Sequence, residues 1–330
     1  MNNSKLMFFI LMIFSMFISI SANSWINCWM GLEINTFSFL PFIFKKKNFL
    51  SSESSIKFFL IQSISSINLM FIIFLINWNS MNQIQLLNSL YLIISISLLF
   101  KLGSAPFHFW MISLIESFNW INMMIFFSLQ KIPPIILISY YLNIKFLFLI
   151  ILINSIFGSI SGLNQLSIRK IMTYSSIFNF SWMFSAILIS ENMFIIFMII
   201  YSSILVNLFM LFNSINLNNL NQIFLIKNNN LLIYLIMINL LSLGGMPPFL
   251  GFMSKWLISM FLIQLKFMVI IIIMLMSLIN LYYYIQMLYP LIFIYKFQIK
   301  WMINLKFSLF LMSFISSSAL IIMNIFFFIF

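Results

Sequence analysis

Stretches of about twenty apolar residues follow one another along almost the whole chain, and each is long enough to cross a hydrocarbon layer of roughly 30 Å as a helix. A chain built this way cannot close into a water-soluble globule. Its 330 residues are 64% apolar and 6% charged, with a mean hydropathy of +1.15, so lipid solvates most of its surface. The expected fold is an all-α polytopic membrane bundle with spans at about 6–22, 25–44, 56–77, 86–116, 120–141, 145–163, 170–189, 192–213, 231–262, 265–289 and 306–330. The first run lacks a small-x-small cleavage site and meets the second almost at once, which reads as a retained helix rather than a signal peptide.

Two of the eleven expected spans are overlong and interrupted. The fourth breaks at Gly103-Ser104-Ala105-Pro106 and the ninth at Gly244-Gly245-Met246-Pro247-Pro248, where proline removes a donor and clashes with the preceding turn. Lipid does not tolerate the backbone groups such breaks expose, so they mark a protein-buried or watered cavity. Five spans separate them, and because five is odd the two broken helices run in opposite directions. That is the plan of two inverted repeats, about 1–141 and 145–289, forming an antiporter-like domain over 1–289. Residues 290–330 then form a basic loop and a C-terminal transmembrane helix.

The cations sort by side. With odd spans running one way, Lys5, Lys45, Lys46, Lys47, Lys57, Arg169, Lys170, Lys227, Lys296, Lys300 and Lys306 share one face, and only Lys145 and Lys266 lie opposite. The positive-inside rule therefore puts the N-terminus on the matrix or cytoplasmic side and the C-terminus opposite. The net charge of +12 is spread over short loops beside helix ends, where topology and anionic headgroups account for it, so nucleic acid is not the expected partner. One Cys and one His leave no means of assembling a Cys₄ iron–sulfur site, a His-pair haem or a closed zinc site from this chain alone. Four Ala, two Val, one Arg and no Asp beside 43 Phe and 26 Met point to an AT-rich gene, for which an organelle genome is the natural source.

Three lysines and one glutamate fall inside spans. Glu33 is near the middle of the second, Lys101 of the fourth and Lys131 of the fifth, while Lys255 lies seven residues past the second break, about 10 Å outward at the helical rise. A charge at the bilayer centre costs at least roughly 2.5–3.5 kcal/mol. Burial disfavours a charged amine and a neighbouring carboxylate favours it, so a Glu33–Lys101 pair that opens and closes is a protonation switch. The alternative is a set of structural ion pairs. His108, two residues past the first break, is a candidate for a relay or for a plain hydrogen bond. Glu116, at the end of the fourth span, is a candidate for a proton entry route, whereas Glu53 and Glu191 read as surface groups.

Several segments carry a resemblance: Lys101-Leu102-Gly103-Ser104-Ala105-Pro106-Phe107-His108-Phe109-Trp110, Gln130-Lys131 before Pro133, and Gly244-Gly245-Met246-Pro247-Pro248-Phe249-Leu250-Gly251-Phe252 before Lys255-Trp256. With Trp29 to Asn35, Leu163-Asn164-Gln165 and Arg169 to Met172, they resemble the mitochondrial NADH-ubiquinone oxidoreductase chain 2 family over residues 1–289, in its short animal form. The resemblance implies an antiporter-like, proton-pumping subunit in the membrane arm of respiratory complex I, in the mitochondrial inner membrane. It implies that Glu33, Lys101, Lys131 and Lys255 are the proton relay, and that the partners are other membrane-arm subunits and lipids. NADH, FMN, iron–sulfur clusters and ubiquinone are expected in other subunits, with no cofactor in this chain. The chain departs from the family at Met111-Ile112-Ser113, where Pro-Glu is frequent, at Asn179 in place of a histidine, and at Ser254 in place of a proline. Two other readings stay open: a monovalent-cation/proton antiporter subunit, and a non-pumping spacer of the membrane arm.

Overall fold

The computed structural model describes residues 3–44, 48–79, 84–141, 143–220, 222 and 230–293. The expected last span at 306–330 and its approach from 294 lie outside the described residues, as do Lys45, Lys46, Lys47, Lys227, Lys296, Lys300 and Lys306. Every regular element among the described residues is helical. In chain order these are α1 (Asn3–Ser21), α2 (Trp25–Ile43), α3 (Phe49–Asn79), α4 (Ile84–Leu102), α5 (Phe109–Ile115), α6 (Trp120–Ser128), α7 (Ile132–Ser139), α8 (Ile144–Ile160), α9 (Ile168–Ile189), α10 (Glu191–Ile215), α11 (Asn230–Gly244), α12 (Leu250–Leu265) and α13 (Phe267–Phe293), with a 3₁₀ turn at Leu129–Lys131. Among the described residues, six helical stretches are individually long and apolar enough to cross a membrane.

The helices are stopped and started by local chemistry. Ser24 accepts from the Asn27 N–H and Ser190 from the Met193 N–H, each filling an orphan donor of the helix it opens. Serine is frequent inside the spans, yet most buried hydroxyls are satisfied within their own helix. Ser15, Ser19, Ser38, Ser65, Ser97, Ser175, Ser176, Ser181 and Ser185 each donate to the carbonyl three residues back. A serine-rich helix can therefore enter an apolar core without a cross-helix partner.

The chain forms two compact units, one of the described residues in Met1–Phe118 and Ile125–Leu147, the other of those in Asn119–Met124 and Phe148–Phe330. In the first, α1 packs along α2, and α3 along both α2 and α4. A cluster of Phe39, Phe42, Phe58, Phe118 and Phe126 closes its core with largely edge-on contacts at 5.4–6.4 Å. In the second, α9 is almost wholly buried, packed by α10 and α12.

Both expected breaks are present, but the stop signal is glycine rather than proline. At the end of α4, Gly103 turns left-handed (φ 69°) and its N–H bonds to the Phe100 carbonyl while the Ser104 N–H reaches Leu99. At the end of α11, Gly245 does the same (φ 87°), its N–H bonding to Ser242 while Met246 reaches Leu241. Each is a Schellman cap, a conformation that costs a residue with a Cβ roughly 1–2 kcal/mol. Gly244 is still helical, and Pro106, Pro247 and Pro248 lie exposed beyond the caps, where they bar the helix from resuming. A third interruption was not expected. The fifth span, read as continuous over 120–141, tightens to the 3₁₀ turn at Leu129–Lys131 and restarts as α7. Pro133 and Pro134 have no N–H for the carbonyls of Leu129 and Gln130, so the α-helical ladder is lost there.

Candidate functional site

The first unit brings three of the four expected relay residues together. Lys101 occupies the last turn of α4 and Glu33 the middle of α2, with the ammonium 3.7 Å from a carboxylate oxygen. That is an ion pair too long for a hydrogen bond, and neither atom has a hydrogen-bond partner among the described residues. At an effective dielectric near 20 the attraction at this separation is roughly 4 kcal/mol, against several kcal/mol for removing each ion from water. The carbonyl of Lys101, freed by the helix end, accepts from Gln62 Nε2 at 3.0 Å.

Lys131, 2% exposed, lies on the 3₁₀ turn with its ammonium 4.9 Å from the centroid of Phe127. It lines the same small cavity as Lys101, together with Asn35, Thr36, Gln62 and Gln130. The cavity measures about 20 Å³, above the roughly 10–15 Å³ that one water requires. Gln130 in turn donates to Asn35 Oδ1 at 3.1 Å, which ties the 3₁₀ turn to α2. Phe58 and Phe126 of the aromatic cluster form its apolar wall.

The other candidates of this unit are placed elsewhere. His108 is buried, its Nδ1 3.2 Å from the Pro106 carbonyl and its ring stacked on Phe109 at 4.3 Å. It does not line the lysine cavity. Glu116 is exposed at the end of α5, and Ser113, also exposed, bonds back to the Trp110 carbonyl.

Lys255 belongs to the second unit, on the second turn of α12. Its sequence position places it outward of the break, but its ammonium is not. Side chains lean toward the N-terminus of their helix, and Lys255 folds back so that Nζ donates to the carbonyls of Leu243 at 2.8 Å and Gly244 at 3.0 Å. Those are freed acceptors at the negative end of α11, and a cation is held well there. The stem lies against Gly245, where a Cβ would stand 3.0 Å from Cδ and 3.1 Å from Nζ. The two breaks therefore share a further feature: in each, the carbonyl two residues before the left-handed glycine accepts from a side-chain nitrogen, Gln62 in one and Lys255 in the other.

The two departures from the family pattern in this unit meet at Lys255. Asn179 and Ser254 line a cavity of about 10 Å³ with Lys255, Ser242 and Tyr201, and Tyr201 hydrogen-bonds to Asn179. Sequence reasoning assigned no role to Gln62, Asn35 or Tyr201. Asn, Gln and Tyr are common in a chain of this composition, and only the meeting of distant elements distinguishes these from the rest. Among the described residues, no group of three or more His, Cys, Asp and Glu side chains is placed to hold a metal ion.

Residues 22–280 match the family described as NADH:quinone oxidoreductase/Mrp antiporter, TM. The chain is 40% identical over 309 residues to NADH-ubiquinone oxidoreductase chain 2 of Anopheles gambiae, covering 92% of this chain and 91% of that one. It is 40% identical over 332 residues to the protein of the same name in Aedes aegypti, covering 98% and 97%. Among solved structures, a chain of respiratory complex I from Thermus thermophilus with bound aureothin superposes with a TM-score of 0.80 at 17% identity, over 87% of this chain and 70% of that one, a likeness of fold.

Proposed function

Since the chain belongs to the NADH-ubiquinone oxidoreductase chain 2 family, we propose that it moves protons through Glu33, Lys101 and Lys131 of its first unit and Lys255 of its second. It is a multi-pass membrane protein and a proton-pumping membrane-arm subunit of complex I. The observation that carries the residue assignment is the Glu33–Lys101 pair, held at 3.7 Å beside a cavity that Lys131 also lines. In the proposed cycle a proton enters from the matrix side, is held on Lys101 and Lys131, passes to Lys255 and leaves to the intermembrane space. Separation of Glu33 from Lys101 favours release of the lysine proton, and closure favours uptake. Electron transfer from NADH to ubiquinone takes place in other subunits and drives the cycle, with no redox cofactor in this chain. Eleven spans in two inverted repeats, the N-terminus in the matrix and an inner-membrane location complete the reading.

The test uses the assembled complex in sealed inner-membrane vesicles. Lys131→Met and Lys255→Met are each expected to lower the number of protons moved per NADH oxidised, at unchanged complex content. An unchanged ratio in both rejects the assigned path. If the ratio falls only in proportion to lost assembly, the buried ions are structural staples and the subunit is a spacer. Sodium- or potassium-dependent proton exchange without NADH identifies a cation antiporter instead.

A further inference from the structure

The second unit holds a buried polar cluster outside the assigned relay. Asn280, Tyr283 and Tyr284 stand at helical spacings of three and four on one face of α13, and none is more than 1% exposed. Both amide atoms of Asn280 and both tyrosine hydroxyls lack a hydrogen-bond partner among the described residues. Each buried orphan of this kind costs roughly 1–3 kcal/mol, and water bonded to several of them at once removes that cost. The polar neighbours are already at hand. Ser175 and Tyr283 flank the hydroxyl of Tyr284 without direct bonding geometry, and the two tyrosine rings lie edge to face at 4.9 Å.

The cluster is continuous with Lys255 at one end. Tyr284 lies against Gly244, where a Cβ would meet its ring at 3.5 Å, and the Gly244 carbonyl is one of the two that hold the lysine. Tyr201, which interacts with Tyr284, lines the small cavity at Lys255 with Asn179. At the other end Tyr283 abuts Gly162, where a Cβ would come within 3.0 Å of its ring. Gly162 opens the turn to α9, exposed at Asn164 and followed by Arg169 and Lys170. A route from Lys255 through Tyr201, Tyr284 and Tyr283 therefore ends at the face that carries the basic turn.

We propose that Tyr201, Tyr284, Tyr283 and Asn280 hold a water-linked hydroxyl relay that carries protons between Lys255 and the membrane face of the Gly162 turn. The relay gives the second unit its own connection to the basic face, independent of Lys101 and Lys131. Each hydroxyl hands its proton onward as it accepts the next, so no tyrosinate forms and the chain of oxygens ends as it began. The inference rests on the assignment of Lys255 as a proton carrier, and the test separates the two.

In vesicles carrying the intact complex, Tyr283→Phe, Tyr284→Phe and Tyr201→Phe each delete one oxygen and keep the ring. The expected result is a fall in protons taken up per NADH, smaller than that of Lys255→Met, which also stops protons arriving from Lys131, with no further fall when any of the three changes is combined with Lys255→Met. A ratio that stays unchanged in the tyrosine variants while Lys255→Met lowers it overturns the hydroxyl route and leaves the lysine assignment standing. A ratio unchanged in Lys255→Met overturns the lysine assignment, and the route with it. Additive losses in the double variants also overturn the relay. Three separate positions are available, so any one that assembles decides the matter.

Discussion

At the scale of single residues, the buried ions were legible in the sequence and their exact placement was not. Glu33, Lys101 and Lys131 stand out because a charge deep in a span must be compensated. Which atom compensates it depends on other elements. Lys255 illustrates the gap: its number places it beyond the break, while its four-carbon stem returns the ammonium to the carbonyls of Leu243 and Gly244. Gly245→Ala is therefore expected to act twice, through the left-handed backbone, roughly 1–2 kcal/mol, and through a methyl pressed on the lysine stem. Proton stoichiometry should fall further than a matched Gly103→Ala lowers it, because the residue crowding Gly103 is Trp110 rather than a lysine. Gln62→Leu removes the donor to the Lys101 carbonyl and should destabilise the first unit by about 1–3 kcal/mol, read as a lower melting temperature of the purified complex. Glu33→Gln keeps the shape of the pair and removes its charge. Measured as protons per NADH, it should reproduce most of the loss seen in a Lys101→Met variant.

At the scale of elements, the all-helical class and the two glycine–proline breaks could be read directly, because apolar patterning and turn chemistry are local properties, whereas the third span, expected over 56–77, runs from Phe49 to Asn79. The third interruption could not. Proline is tolerated in the first turn of a helix, so Pro133 and Pro134 are compatible with an apolar run that continues and with one that restarts. The missing N–H groups open the ladder, and the contact of Gln130 with Asn35 of α2, which no local pattern announces, holds the turn in place. Replacing both prolines by alanine restores two donors and should convert Leu129–Lys131 into ordinary α-helix. Rotation about the helix axis then carries Lys131 away from the cavity it shares with Lys101. The expected outcome is a complex at least as stable to heat, with fewer protons moved per NADH. A stable variant with normal pumping would show that the 3₁₀ turn has no part in placing the lysine.

At the scale of the whole molecule, the proposed orientation rests on loop charge and is open to direct measurement. Cys28 is buried and is the chain's only cysteine, so its thiol contributes little background to labelling. Cysteines introduced at the exposed Lys145 and Lys266 should react with an impermeant maleimide from the intermembrane space, and one at the exposed Asn164 from the matrix. The reverse pattern would invert the proposed topology and the direction of every step in it. The proposal of antiparallel repeats rests on the spacing between the breaks, whereas the shared cap at Gly103 and Gly245 requires coordinates to see. The grip of Lys255 on the last carbonyls of α11 has a mechanical meaning. One amine joins two rods end to side, and its hold depends on charge, so a displacement of either rod changes the energy of keeping the proton. By the same reciprocity, in the proposed cycle arrival or departure of that proton exerts a force on both rods, which is how a push originating far away along the arm would become chemistry.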